Sequence, residues 1–120
     1  MRLIVGARGA GKLEYVKSLG YHEGRIAATL AAAASAPVVY RLEELVRQVM
    51  AEHGNLDALL PLLDREELEI IICDEVGSGV VPVDPFERAW RDAVGRLCCD
   101  LAARAARVDR VIVGIPIKLK

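Results

Sequence analysis

Leu3-Ile4-Val5-Gly6-Ala7-Arg8-Gly9-Ala10-Gly11-Lys12-Leu13 decides how the rest of this 120-residue chain is read. Its apolar opening predicts a strand, and the run from Leu13 to Ser18 continues as a helix. The junction between them has the spacing G-x-x-x-x-G-K, the pattern of a phosphate-binding loop. Glycines there let the backbone reach positive φ and bring its N–H groups against phosphate oxygens. The helix N-terminus adds partial positive charge, and Lys12 adds a full one. Gly6, Ala7, Arg8, Gly9, Ala10, Gly11, Lys12 and Leu13 are therefore the candidate nucleotide contacts. Leu13 stands where the pattern asks for Ser or Thr, whose hydroxyl ligates Mg²⁺. The phosphate half of the motif is intact and the metal half is not. The competing reading is a glycine-rich turn with an incidental lysine.

A second feature points the same way. Glu69-Ile70-Ile71-Ile72-Cys73 is a β-branched run, the mark of a strand covered on both faces. Strands that alternate with helices predict a small, mainly parallel sheet flanked by helices, an α/β fold in three layers of the P-loop NTPase type. In such sheets ligands sit beyond the carboxyl ends of the strands. The glycine-rich loop leaves the first strand at that edge, and Asp74-Glu75 leaves the Ile-rich one. Asp74 is the candidate Mg²⁺ residue, and Glu75 is placed to orient a nucleophile or to pair with Arg8.

The remaining segments carry weaker expectations. Arg25 to Ser35 is rich in alanine and predicts a helix that Pro37 stops. Val38-Val39-Tyr40 reads as a short strand. Leu42, Leu45, Val46, Val49 and Met50 recur at helical spacing, with Glu43, Glu44, Arg47 and Gln48 assigned to the opposite face. Gly54 closes that helix, and Asn55 is a candidate cap for a short, Pro61-containing one. Asp84-Pro85 reads as an N-cap followed by an N1 proline, opening a helix to about Val108. Its start, with Phe86 and Trp90, is a candidate subunit contact. Arg110 to Ile115 predicts the last strand, with Pro116 at its end or at a sheet edge.

Composition narrows the class. One domain spanning 1–120 fits the length. A net charge of −1 argues against a nucleic-acid footprint. No apolar run is long enough for a membrane span, and the first residues do not read as a secretion signal. Cys73, Cys98 and Cys99 form no C-x-x-C pair, so the expected compartment is the cytoplasm, with reduced thiols. Cys98-Cys99 falls on the predicted buried stripe. His22, beside Glu23 and Arg25, is a weak nucleophile candidate, and His53 has no metal-ligand or triad company.

Several motifs together resemble one family. Glu75-Val76-Gly77-Ser78-Gly79-Val80-Val81-Pro82 is similar to the E-V-G-x-G-[IV]-V-P signature of the bifunctional adenosylcobinamide kinase / adenosylcobinamide-phosphate guanylyltransferases. Gly6 to Lys12, with Arg8 in place, resembles that family's loop. Trp90-Arg91-Asp92 with Gly95, and the ending Gly114-Ile115-Pro116-Ile117-Lys118-Leu119-Lys120, resemble its last helix and strand. The resemblance implies a P-loop fold and a role in cobalamin assembly and salvage. It implies GTP or ATP with Mg²⁺, a cobinamide-type alcohol as acceptor, GMP transfer through a guanylylated histidine, and trimers. Leu13 replaces the loop hydroxyl, and Asp74 stands where the family has Asn. Residues 19 to 68 do not match the family's middle, which holds the histidine. A nucleotide-binding kinase without guanylyltransfer is therefore the expectation, with Lys12 and Glu75 as its catalytic residues. The alternative is a nucleotide-binding or partner subunit without turnover.

Overall fold

A computed structural model of the chain describes residues 1–77 and 81–120. The strands are β1 (Arg2–Gly6), β2 (Ile26–Ala27), β3 (Val38–Val39), β4 (Ile70–Asp74), β5 (Arg107–Ile112) and β6 (Ile115–Lys118). The helices are α1 (Lys12–Ser18), α2 (Leu30–Ala33), α3 (Leu42–His53), α4 (Leu60–Leu63) and α5 (Pro85–Arg104). The strands form one sheet in the order β2-β3-β4-β1-β5-β6, parallel except for the antiparallel edge strand β6.

The period-two alternation of the strands builds the three layers. Ile4, Ile70, Ile72, Val38 and Val111 face one side and pack with Val16 of α1. Leu3, Ile71, Cys73, Val39 and Val108 face the other, beneath α3 and α5. Ile71 and Ile72 are both fully buried, as a central parallel strand requires. Each such side chain contributes roughly 1.5–3 kcal/mol by leaving water.

Three segments depart from the sequence expectations. Alanine propensity predicted a helix from Arg25 to Ser35, but Ile26-Ala27 joins the sheet against Val38-Val39. Only Leu30–Ala33 is helical, opened by Thr29, whose hydroxyl accepts the Ala32 N–H. Ladder hydrogen bonds and burial of Ala27 outweigh a few tenths of a kcal/mol of local preference. Helix α5 stops at Arg104, short of Val108, because Ala105 turns extended and the Ala106 N–H is taken by the Met1 carbonyl. The predicted last strand is two strands, β5 and β6, joined by Val113-Gly114 with φ of 44° and 79°. Pro116 lies on the edge strand, as foreseen for a residue without an N–H.

Helix starts and stops mostly follow the chemistry of their residues. The Asp84 carboxylate accepts the Phe86 N–H with Pro85 in the first turn, and Gly54 closes α3 at φ 75°. Asn55 forms a local turn, accepting from Asp57 N–H, and α4 begins later, at Leu60.

Candidate functional site

The geometry of the site rests on one register. Gly6, the last residue of β1, is the direct partner of Asp74, the last residue of β4. The glycine-rich loop and Asp74-Glu75 therefore leave the sheet side by side at its carboxyl edge. The Glu75 N–H donates to Gly6 O at 2.9 Å, extending the pairing by one residue.

Lys12 stands between the two exits. Its Nζ donates to Gly6 O at 3.1 Å and Ala7 O at 2.8 Å, and lies 2.7 Å from Asp74 Oδ1. The residue is 5% exposed, so this ion pair is largely shielded from solvent. A cleft of about 380 Å³ opens over it, lined by Arg8, Gly9, Gly11, Lys12, Leu13, Glu14, Tyr40, Arg41 and Asp74. Apart from Leu13 the lining is dominated by polar side chains and main chain, the surface a phosphate chain needs.

The loop is shaped from behind. A Cβ on Gly6 would lie 2.6 Å from Val111 O of β5, a main-chain atom that cannot step aside. Gly9 and Gly11 have φ of 77° and 98°, in the left-handed region that glycine alone enters freely. The β5–β6 turn abuts the loop, with Gly114 N–H donating to Ala10 O at 2.7 Å. On that flank Arg8, Ala10, Arg110, Ile112 and Val113 line a second cleft of about 350 Å³.

Glu75 has a different partner from the one expected. Its carboxylate takes both arms of Arg110, Nε at 2.7 Å and Nη2 at 3.0 Å, rather than Arg8. Arg8 lies exposed at the mouth of both clefts.

The structure adds Glu43, which the sequence pattern assigned to a solvent face. It lies in the first turn of α3 and is 2% exposed. Its Oε1 accepts the Asp74 N–H at 2.9 Å, while Oε2 has no hydrogen-bond partner among the described residues. Arg41 Nε stands 3.9 Å from that oxygen. Arg41 itself holds φ 59° in the wall of the cleft, a strained conformation for a side-chain-bearing residue. Burial, the largest effect, pushes the Glu43 carboxyl above its ordinary value, against the opposing hydrogen bond from Asp74. The native state therefore holds this proton more tightly than the unfolded chain. Its stabilising effect is complete below the ordinary carboxylate range and is lost as pH rises through the folded value. Glu43→Gln keeps an acceptor for Asp74 without the charge. It is expected to gain stability over the wild type as pH rises from the acid side toward neutrality. Paired thermal melts from acid to neutral pH measure this, and a constant difference across that range refutes it.

Other candidates fall elsewhere. His22 precedes β2 at the opening edge of the sheet, where Ile26, Val38, Ile70 and Arg2 stand in register, opposite the loop. His53 ends α3, which runs back from the carboxyl edge, and its Nε2 stands 3.7 Å from the Glu52 carboxylate. Neither histidine reaches the site. Trp90 is not a surface contact: it is 7% exposed and its indole N–H donates to Glu43 O at 2.8 Å. Cys99 is exposed, whereas Cys98 turns inward. Ser78, Gly79 and Val80 of the signature segment lie outside the described residues.

Comparison with known proteins places this site in context. A family model described as cobinamide kinase / cobinamide phosphate guanyltransferase matches residues 26–119. The chain belongs to that family. The match runs through the middle of the chain from residue 26, correcting the reading that residues 19 to 68 lie outside the pattern. The loop precedes the matched span, so its assignment rests on its own residues and geometry. The chain is 41% identical over 51 residues to the bifunctional adenosylcobalamin biosynthesis protein CobU of Escherichia coli (strain K12), covering 42% of this chain and 28% of that protein. The Salmonella typhimurium CobU gives the same identity and coverage. The CobP protein of Pseudomonas aeruginosa is 37% identical over 68 residues, 56% of this chain and 39% of that protein. The chain thus spans less than two fifths of the length of these curated relatives. The six-stranded, mostly parallel sheet agrees with the cobinamide kinase family's α/β fold. No helix among the described residues is long and apolar enough to cross a membrane.

Proposed function

We propose that the chain binds GTP or ATP on the 6–13 loop and transfers the terminal phosphoryl group to the hydroxyl of a cobinamide-type corrinoid in cobalamin biosynthesis or salvage. The observation that carries this reading is the Gly6–Asp74 register with the buried Lys12 ammonium between the two strand ends. Loop N–H groups and Lys12 hold the β- and γ-phosphates and stabilise the charge that builds on the transferred group. The nucleoside diphosphate departs, and the acceptor oxygen gains the phosphoryl group as its proton passes to solvent. Glu75, anchored by Arg110, orients that acceptor hydroxyl.

The residues present fit Mg²⁺ as a single carboxylate, Asp74, completed by phosphate oxygens and water. Among the described residues no group of three or more His, Cys, Asp or Glu side chains gathers to hold a metal, and Leu13 supplies no hydroxyl. When bound, the ion would supply charge neutralisation across the phosphates. Guanylyltransfer is not part of the proposal, since both histidines of the chain lie toward the opposite edge. Leu13 favours a second reading, a nucleotide-binding subunit without turnover.

Calorimetry with GTP and ATP, with and without Mg²⁺, tests the shared part of both readings. Binding is expected in each condition, with a small gain from the metal. No heat with either nucleotide removes both. Detection of phosphorylated cobinamide then separates them, and binding without product leaves only the second.

A further inference from the structure

Behind the nucleotide rim, two cysteines that the sequence keeps far apart meet. Cys73 is the fourth residue of β4, immediately before Asp74, and is fully buried. Cys98 lies on α5 and is partly exposed. The Cys98 thiol points at the Cys73 sulfur, Sγ to Sγ, at 3.6 Å. The established sulfur–sulfur bond is about 2.05 Å long, so rotation of the two side chains and a small adjustment of α5 would close the gap. The central strand is held by main-chain ladders on both sides, whereas α5 is held through side chains, by apolar packing and contacts such as Trp90 to Glu43 O, so the helix gives first.

We infer that Cys73 and Cys98 form a redox modification site, joined reversibly as a disulfide by hydrogen peroxide. The partly exposed Cys98 reacts first. Its sulfur takes one peroxide oxygen to become a sulfenic acid, and water leaves. The Cys73 sulfur then attacks the oxidised Cys98 sulfur, the S–S bond forms, and the hydroxyl departs with the Cys73 proton as a second water. The two thiols together lose two electrons and two protons, which reduce one peroxide to two waters. A dithiol reductant reverses the step by exchange. The bond would tie α5 to the strand end whose next residue pairs with Lys12. The thiol state would thereby bear on the proposed nucleotide site, an effect that rests on the reading of that rim.

The experiment uses the folded chain carrying Cys99→Ser, which removes the adjacent, exposed thiol. Brief hydrogen peroxide treatment, alkylation of remaining thiols and tryptic mapping without reductant should show the Cys73 peptide joined to the Cys98 peptide. Both free thiols should be lost and then recovered with dithiothreitol. Cys98→Ser should form no such link and should keep its nucleotide affinity after peroxide, while the linked protein loses affinity. A link that forms only in denaturant, or Cys98 oxidised past the sulfenic acid with Cys73 still free, overturns the modification site. A link in the folded protein with unchanged nucleotide affinity overturns only the coupling. If unoxidised protein binds no nucleotide, the kinase reading fails while the mapping result stands by itself.

Discussion

Replacing Lys12 by alanine is expected to weaken nucleotide binding by about 3 kcal/mol, roughly two orders of magnitude in Kd. The ammonium is 5% exposed and bridges Gly6 O, Ala7 O and Asp74 Oδ1. Removing it takes a shielded positive charge from the cradle and leaves the Asp74 carboxylate facing the incoming phosphates alone. Both changes act against an anion. Calorimetry on Lys12→Ala, with circular dichroism to confirm folding, gives the contrast. A folded variant that binds GTP or ATP as well as the wild type would refute the loop as a phosphate site.

Trp90→Ala is expected to be the most damaging single change to stability, at about 3–5 kcal/mol. The indole is buried between α3 and α5, donates its N–H to Glu43 O, and carries the Arg47 guanidinium 3.9 Å from its ring centre. Arg47 in turn reaches Glu87 on α5, with Nη2 to Oε2 at 3.1 Å. Truncation opens a cavity and releases the α3 turn that presents Glu43 to Asp74. The loss should therefore appear both in denaturant midpoint and in nucleotide affinity of the folded fraction. Trp90→Phe fills most of the space and lacks the N–H, so it should cost about 1–3 kcal/mol. If the alanine variant loses stability while the folded fraction binds normally, the link from Trp90 through Glu43 to Asp74 is wrong.

Much of the candidate site's geometry was legible because its signals are local. The loop spacing needs only eight consecutive residues, and the Ile-rich run before Asp74 announces a strand covered on both sides. Parallel connectivity then brings their ends to one edge. Glu43 was hidden for a nonlocal reason. Helical periodicity places it beside Leu42 and opposite Leu45, and only the Asp74 N–H from a distant strand makes its burial worthwhile. The alanine-rich segment misled because its fate is set by the Val38-Val39 edge, not by its own propensity. The final hairpin was missed because Val113 precedes Gly114, where turns of this kind favour Asn or Asp. The Cys73–Cys98 contact leaves no spacing signal at all, since it is made by helix-on-sheet packing.

The Val113-Gly114 turn has a consequence for how a ligand is met. Its amide holds Ala10 O, and the space around Gly11 leaves its neighbour Gly114 within 3.1 Å of any added Cβ. The 6–13 loop is thus a braced arch, supported from the rear by that turn. On the proposed reading, a nucleotide entering from the front would spend little of its affinity on ordering main chain, leaving more for holding the phosphates.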